Sequence, residues 1–146
     1  MRRSKGRPWF QDIPQRMRFE AGVREQYAIS SSCSGRSTRD LVSYQLVVDV
    51  PEYEARKLTI TLYNSFTPVL KNVLVDGPTD SPHRYGDASL CMWYPKDPVE
   101  RRWVGEDGLL QLITHARVHL FREAWWREHE EEWLGDEAPH ADKDAA

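Results

Sequence analysis

The clearest alternation of apolar and polar positions in this chain runs from residue 41 to residue 75. Leu41–Val50 is rich in β-branched and aromatic residues and largely alternates, which predicts a strand. Pro51-Glu52 breaks it. Leu58–Tyr63 alternates more strictly and places Leu58, Ile60 and Leu62 on one face. After Asn64–Pro68, the run Val69–Val75 predicts a third strand, closed by Asp76-Gly77-Pro78. Three strands at short spacing imply an antiparallel meander. Towards the C-terminus the period changes: Leu109, Leu112, Ile113, Ala116, Leu120 and Ala124 recur at helical spacing. One long helix is predicted from Gly108 to Trp133, with Gly135 as its stop signal. A first helix is predicted over Pro14–Ala28, with Pro14 tolerated in its first turn and a modest apolar stripe that Gly22 weakens. Ser30–Arg39 has no pattern and is expected to be a polar connection. The order is α+β, with helices packed on one sheet.

Between the strands and the long helix, the stretch from Ser81 to Arg102 shows no strong periodicity. It is too long for a simple connection, and loops of that length inside a domain are usually functional. It carries Cys91 immediately after the polar turn Gly86-Asp87-Ala88-Ser89 and immediately before Met92-Trp93-Tyr94-Pro95.

Composition narrows the picture. At 146 residues the chain is expected to be one domain over 9–135, preceded by a basic arm, 1–8, and followed by an acidic tail, 136–146. Residues 1–24 hold seven Lys/Arg against two acids, and residues 121–146 hold three against nine. The whole chain is at −3, and its basic segment is short, so nucleic-acid binding is not expected. No apolar run approaches the roughly 20 residues of a membrane span. The basic N-terminus is followed by no apolar stretch, so a secretory signal is not expected either. Two cysteines give no disulfide framework, which leaves the cytoplasm as the expected compartment.

Cys91 is the candidate nucleophile, held at the surface. A thiolate needs partial exposure and help from positive charge or dipoles, which His83 or Arg84 could supply if the turn folds back. His83 is either a base for Cys91 or an element of loop architecture, and the loop role is preferred. His115 and His119 lie four apart on the long helix, but they have no His-Glu-x-x-His pattern and no third ligand. Neither a metal nor a cofactor is expected.

The segment His83-Arg84-Tyr85-Gly86-Asp87-Ala88-Ser89-Leu90-Cys91-Met92-Trp93-Tyr94-Pro95 resembles the His-x-Tyr-x-Asp-x-x-Leu-Cys-Leu-aromatic-Tyr-Pro signature of bacterial E2-like proteins. Tyr63–Val73 looks like the proline-containing turn and strand that precede it, and Glu132–His140 is similar to the end of the same group. The likeness spans roughly residues 9–140. It implies a ubiquitin-conjugating (UBC-like) fold: N-terminal helix, antiparallel β-meander, extended active-site segment and long C-terminal helix. It also implies a role in CBASS-type antiphage defence. Cys91 would accept the C-terminal carboxyl of a cGAS/DncV-like nucleotidyltransferase as a thioester and pass it to an amine. The chain has no adenylation motif, so activation falls to a separate E1-like protein or to a pre-activated substrate. Eukaryotic-type relatives carry His-Pro-Asn before the cysteine. Here Arg84-Tyr85 follow His83 and no Asn is present, so oxyanion donors are expected from backbone N–H groups around Cys91 or from Tyr85. Asp87 is the candidate to orient the acceptor lysine.

Two other readings stand beside this one: a catalytically silent E2-like binding module, and a Cys91/His83 cysteine hydrolase. Geometry discriminates among them. An exposed sulfur in a shallow groove supports the carrier, burial supports the silent module, and His83 within hydrogen-bond reach of the sulfur supports hydrolysis.

Overall fold

The computed structural model describes residues 13–34, 41–63, 70–93, 96–129 and 132–135. The basic arm, the acidic tail, the Asn64–Pro68 turn and Tyr94-Pro95 lie outside the described residues. The elements are α1 (Ile13–Arg24), β1 (Ser30–Ser34), β2 (Leu41–Val50), β3 (Tyr53–Tyr63), β4 (Leu70–Val75) and α2 (Gly108–Glu128). Single-turn 3₁₀ helices at Val99–Arg101 and Gly105–Asp107 lead into α2. The α+β class follows directly.

The four strands form one antiparallel sheet in the order β1-β2-β3-β4. The alternation in β2 buries Val42, Tyr44, Leu46, Val48 and Val50 on a single face. Register carries that face across the sheet, with Tyr44 opposite Ile60 and Ile60 opposite Val73. Leu109, Leu112, Ile113, Ala116 and Leu120 of α2 and Val23 of α1 close the core over it. The connection β2–β3 is two residues long, with Glu52 left-handed at φ 70° after Pro51. Where α2 begins, Gly108 has φ 83°, and a Cβ there would lie 2.5 Å from the Phe19 ring of α1.

Four boundaries differ from the sequence expectation, the first being that β3 begins at Tyr53 rather than Leu58. Ser30–Ser34 is a strand rather than a polar connection, pairing Ser30 with Gln45 through Ser34 with Leu41. An edge strand needs only backbone hydrogen bonds on one side, so its serines show no alternation. The first helix stops at Arg24, short of Ala28. The second stops at Glu128 rather than Trp133: His129 leaves helical geometry and its ring stacks on Trp125 at 3.6 Å. Trp133 then returns over the loop that precedes Cys91, at 4.2 Å from the His83 ring. Among the described residues no helix is long and apolar enough to cross a membrane.

Candidate functional site

The polar turn before Cys91 folds into a tight hairpin. Arg84 and Leu90 form an antiparallel bridge, the Tyr85 amide donates to Ser89 O, and the Cys91 amide donates to His83 O at 3.0 Å. The turn closes through the Ala88 amide, which donates to Tyr85 O at 2.8 Å. Ala88 sits in the left-handed region at φ 70°, which a side chain with a Cβ rarely adopts. Asp87 caps the turn by accepting from the amide and hydroxyl of Ser89, and Asn72 of β4 donates to its other oxygen. The Ser89 hydroxyl, chiefly, holds the Asp87 carboxyl below the usual range. The Leu90 amide donates to Val73 O, which fastens the hairpin to β4.

Arg84 fastens the other side of the hairpin to α2. Its Nε donates to Glu123 Oε2 at 2.6 Å and its Nη2 to Oε1 at 2.7 Å. Nη1 reaches Ala88 O at 2.8 Å and Nη2 reaches Pro78 O at 3.1 Å. The two side chains are 4% and 0% exposed, so this ion pair lies inside the protein. His119 joins it: Nε2 lies 3.2 Å from His83 O and 3.3 Å from Glu123 Oε2. Both neighbours are acceptors, so the proton belongs on Nε2. Burial, the largest influence, raises the pKa of Glu123, but hydrogen bonds from Arg84 and His119 outweigh it and hold the value at about 2. One turn further along, Arg127 donates to Asp80 at 2.6 Å and to Pro78 O at 3.2 Å.

The residues singled out from the sequence fall as follows. Cys91 is buried, at 3% exposure, and not held at the surface. The hairpin turns its cysteine arm inward against the sheet, with the flanking Leu90 in the core. The sulfur lies 4.0 Å from Trp93 O. His83 is buried too and meets Cys91 through its carbonyl, while its ring lies against Trp133 and edge-on to His119. Tyr85 is half-buried and holds the turn through its backbone. The charge expected from Arg84 for the thiol is committed to Glu123 instead.

Glu123 and His119 are the residues that sequence reasoning missed as part of this site. The signal was present. Extending the stripe Leu112, Ala116, Leu120 by one more turn places Glu123 on the core face of α2. A carboxylate there requires a cationic partner.

Beyond Trp93, whose ring meets His115 at 5.5 Å, an open cleft of about 350 Å³ is lined by Glu100, Arg102, Asp107, Gln111 and His115. Burial pushes His115 below its ordinary value. Among the described residues no group of three or more His, Cys, Asp or Glu is placed to hold a metal ion. Comparison with protein-family models, curated proteins and solved structures finds no match to this chain.

Proposed function

We propose that the chain is an E2-like conjugating protein with a UBC-like fold whose functional residue is Cys91, acting in bacterial antiphage defence on the C-terminus of a cGAS/DncV-like nucleotidyltransferase. One observation carries the reading: two features that cost stability, a left-handed alanine and a fully buried ion pair, converge on the short hairpin that ends at Cys91. The left-handed Glu52, by contrast, stands alone among the described residues of the β2–β3 turn. Apolar packing would stabilise such a loop at least as well as a buried pair. Strain retained in this way clusters at functional sites.

The reaction has two steps. A thiolate at Cys91 attacks the thioester carbonyl of the activated donor, the new C–S bond forms, and the donor thiolate leaves. A lysine amine then attacks the same carbonyl. The C–S bond to Cys91 breaks, the thiolate is released, and the amine proton passes to solvent or a nearby base. The first step needs little acid–base machinery, because a thiol is a good leaving group. In the second, the amides of Tyr85, Ala88, Ser89, Leu90 and Cys91 already donate within the fold, so of the donors expected from the sequence the Tyr85 hydroxyl is the proposed one for the oxyanion. Asp87, lying on the solvent side of the turn, is the proposed contact for the incoming lysine. An E1-like protein, or a pre-activated substrate, supplies the donor thioester.

The burial of Cys91 favours a second reading, in which the fold binds the same partner and the thiol stays silent. For the carrier, the arriving C-terminus has to uncover the thiol. His83 meets Cys91 through its carbonyl and faces Trp133 with its ring, and neither contact supports the hydrolase. Intact mass of the protein recovered with its partner tests the choice. A thiol-reversible adduct that Cys91→Ala abolishes supports the carrier. Retained binding without an adduct supports the silent module.

A further inference from the structure

The buried pair between Arg84 and Glu123 is an odd choice for stability alone. Taking two charges out of water costs nearly as much as their attraction returns, and apolar replacements are often as stable. What the pair does that apolar side chains cannot is hold carbonyls. A guanidinium carries five donors in a rigid fork. Here the fork takes both oxygens of Glu123 through Nε and Nη2, the carbonyl of Pro78 through Nη2 and the carbonyl of Ala88 through Nη1. Those carbonyls lie at the two ends of the loop leading to Cys91. The Ala88 carbonyl belongs to the left-handed residue three positions before the cysteine.

Glu123 reaches the same loop by a second route. His119 Nε2–H lies between Glu123 Oε2 and His83 O, and His83 O is also the acceptor of the Cys91 amide. A carboxylate on the core face of α2 therefore holds the first arm of the hairpin at two adjacent residues, at Arg84 directly and at His83 O through His119. Arg127 repeats the contact at the loop's start, through Pro78 O and Asp80.

We propose that Arg84, clasped to Glu123, is the positioning residue of the Cys91 loop, fixing where the thiol sits and governing how readily it is reached. The functional meaning rests on the reading of Cys91 as the acyl carrier; the positioning itself does not. Loss of the clasp frees the Ala88 turn, which relaxes from its left-handed geometry and uncovers the thiol. In acyl transfer the same loss scatters the thiol's position, so loading falls even as access rises.

The test is the rate at which iodoacetamide alkylates Cys91 in native protein, in a Cys33→Ser background so that only one thiol is read. Arg84→Lys keeps a positive charge beside Glu123 but cannot span the two carbonyls. Arg84→Met/Glu123→Leu replaces the pair with apolar groups of similar size. Both are expected to alkylate at least about tenfold faster than the parent, beyond what any shift in urea midpoint explains. A parental rate in folded Arg84→Lys, or acceleration only in step with global destabilisation, overturns the proposal. Hydrogen exchange on the unmutated protein needs no variant to fold. The amides of Tyr85, Ala88, Leu90 and Cys91 are expected to exchange as slowly as those of central β3; exchange orders of magnitude faster overturns the proposal too. None of these measurements uses a partner, so a failed search for an adduct refutes the carrier and leaves the positioning role standing.

Discussion

Replacing Glu123 by Gln keeps the shape of the side chain and one carbonyl oxygen, but removes the charge and turns the other oxygen into an NH2 donor that faces the donors of Arg84 or His119. Free glutamate titrates at 4.5 and Glu123 at about 2. At roughly 1.4 kcal/mol per unit, its ionisation in the folded state contributes about 3 kcal/mol near neutral pH. Because the folded value lies below the unfolded one, that contribution is complete above about pH 5 and disappears as pH falls towards 2. At pH 3 about 1.4 kcal/mol remains by the same relation. An independent scale agrees: removing one member of a buried pair typically costs about 3–5 kcal/mol, because the other charge stays behind. Urea unfolding followed by tryptophan fluorescence, on parent and Glu123→Gln at a series of pH values, reads this difference. The expected result is a gap of about 3 kcal/mol at neutral pH that closes steadily in acid. A gap that does not change with pH, or one below about 1 kcal/mol at neutral pH, would refute the assignment of Glu123 as an ionised, paired core residue.

Other substitutions read separate parts of the account. Ala88→Gly removes the left-handed penalty, and after the added freedom of the unfolded chain is set against it, the urea midpoint should rise by an equivalent of about 0.5–1 kcal/mol; a fall would mean the turn is not strained. Leu112→Ala empties a fully buried position of α2 and should cost about 2–5 kcal/mol, lowering global stability without selectively accelerating Cys91 alkylation. The His115 ring should titrate by NMR below 6.5, because burial disfavours its charged form; a midpoint above that value would place it in a different environment.

The sheet was legible because β2 and β3 each present one apolar face, and alternation is visible wherever a strand has one side in the core and the other in water. The same reasoning found the apolar face of α2. It failed at Ser30–Ser34, where a strand is held by backbone bonds that leave no mark in side-chain type. It failed again at the end of α2, since nothing local to Glu128 announces that Trp133 packs more favourably over His83 than as a further helical turn. At the site, Cys91 and its turn were found from the polar run before it, but burial was not. Whether a thiol after a turn faces water or the core depends on which arm of the hairpin lies against the sheet, and the Leu90 amide bonding to Val73 O is a contact between residues 17 apart in sequence. The pairing of Arg84 with Glu123 spans 39 residues and was open to inference only from the helical side, as a carboxylate at a core position.

The central claim is that Cys91 carries an acyl group, and intact-protein mass spectrometry tests it most directly. The protein is purified after co-expression with the proposed partners, a cGAS/DncV-like nucleotidyltransferase and an E1-like protein, and measured with and without added thiol. A mass increase equal to the partner, lost on thiol treatment and absent from Cys91→Ala, is the predicted result. An adduct of undiminished intensity in Cys91→Ala would contradict it.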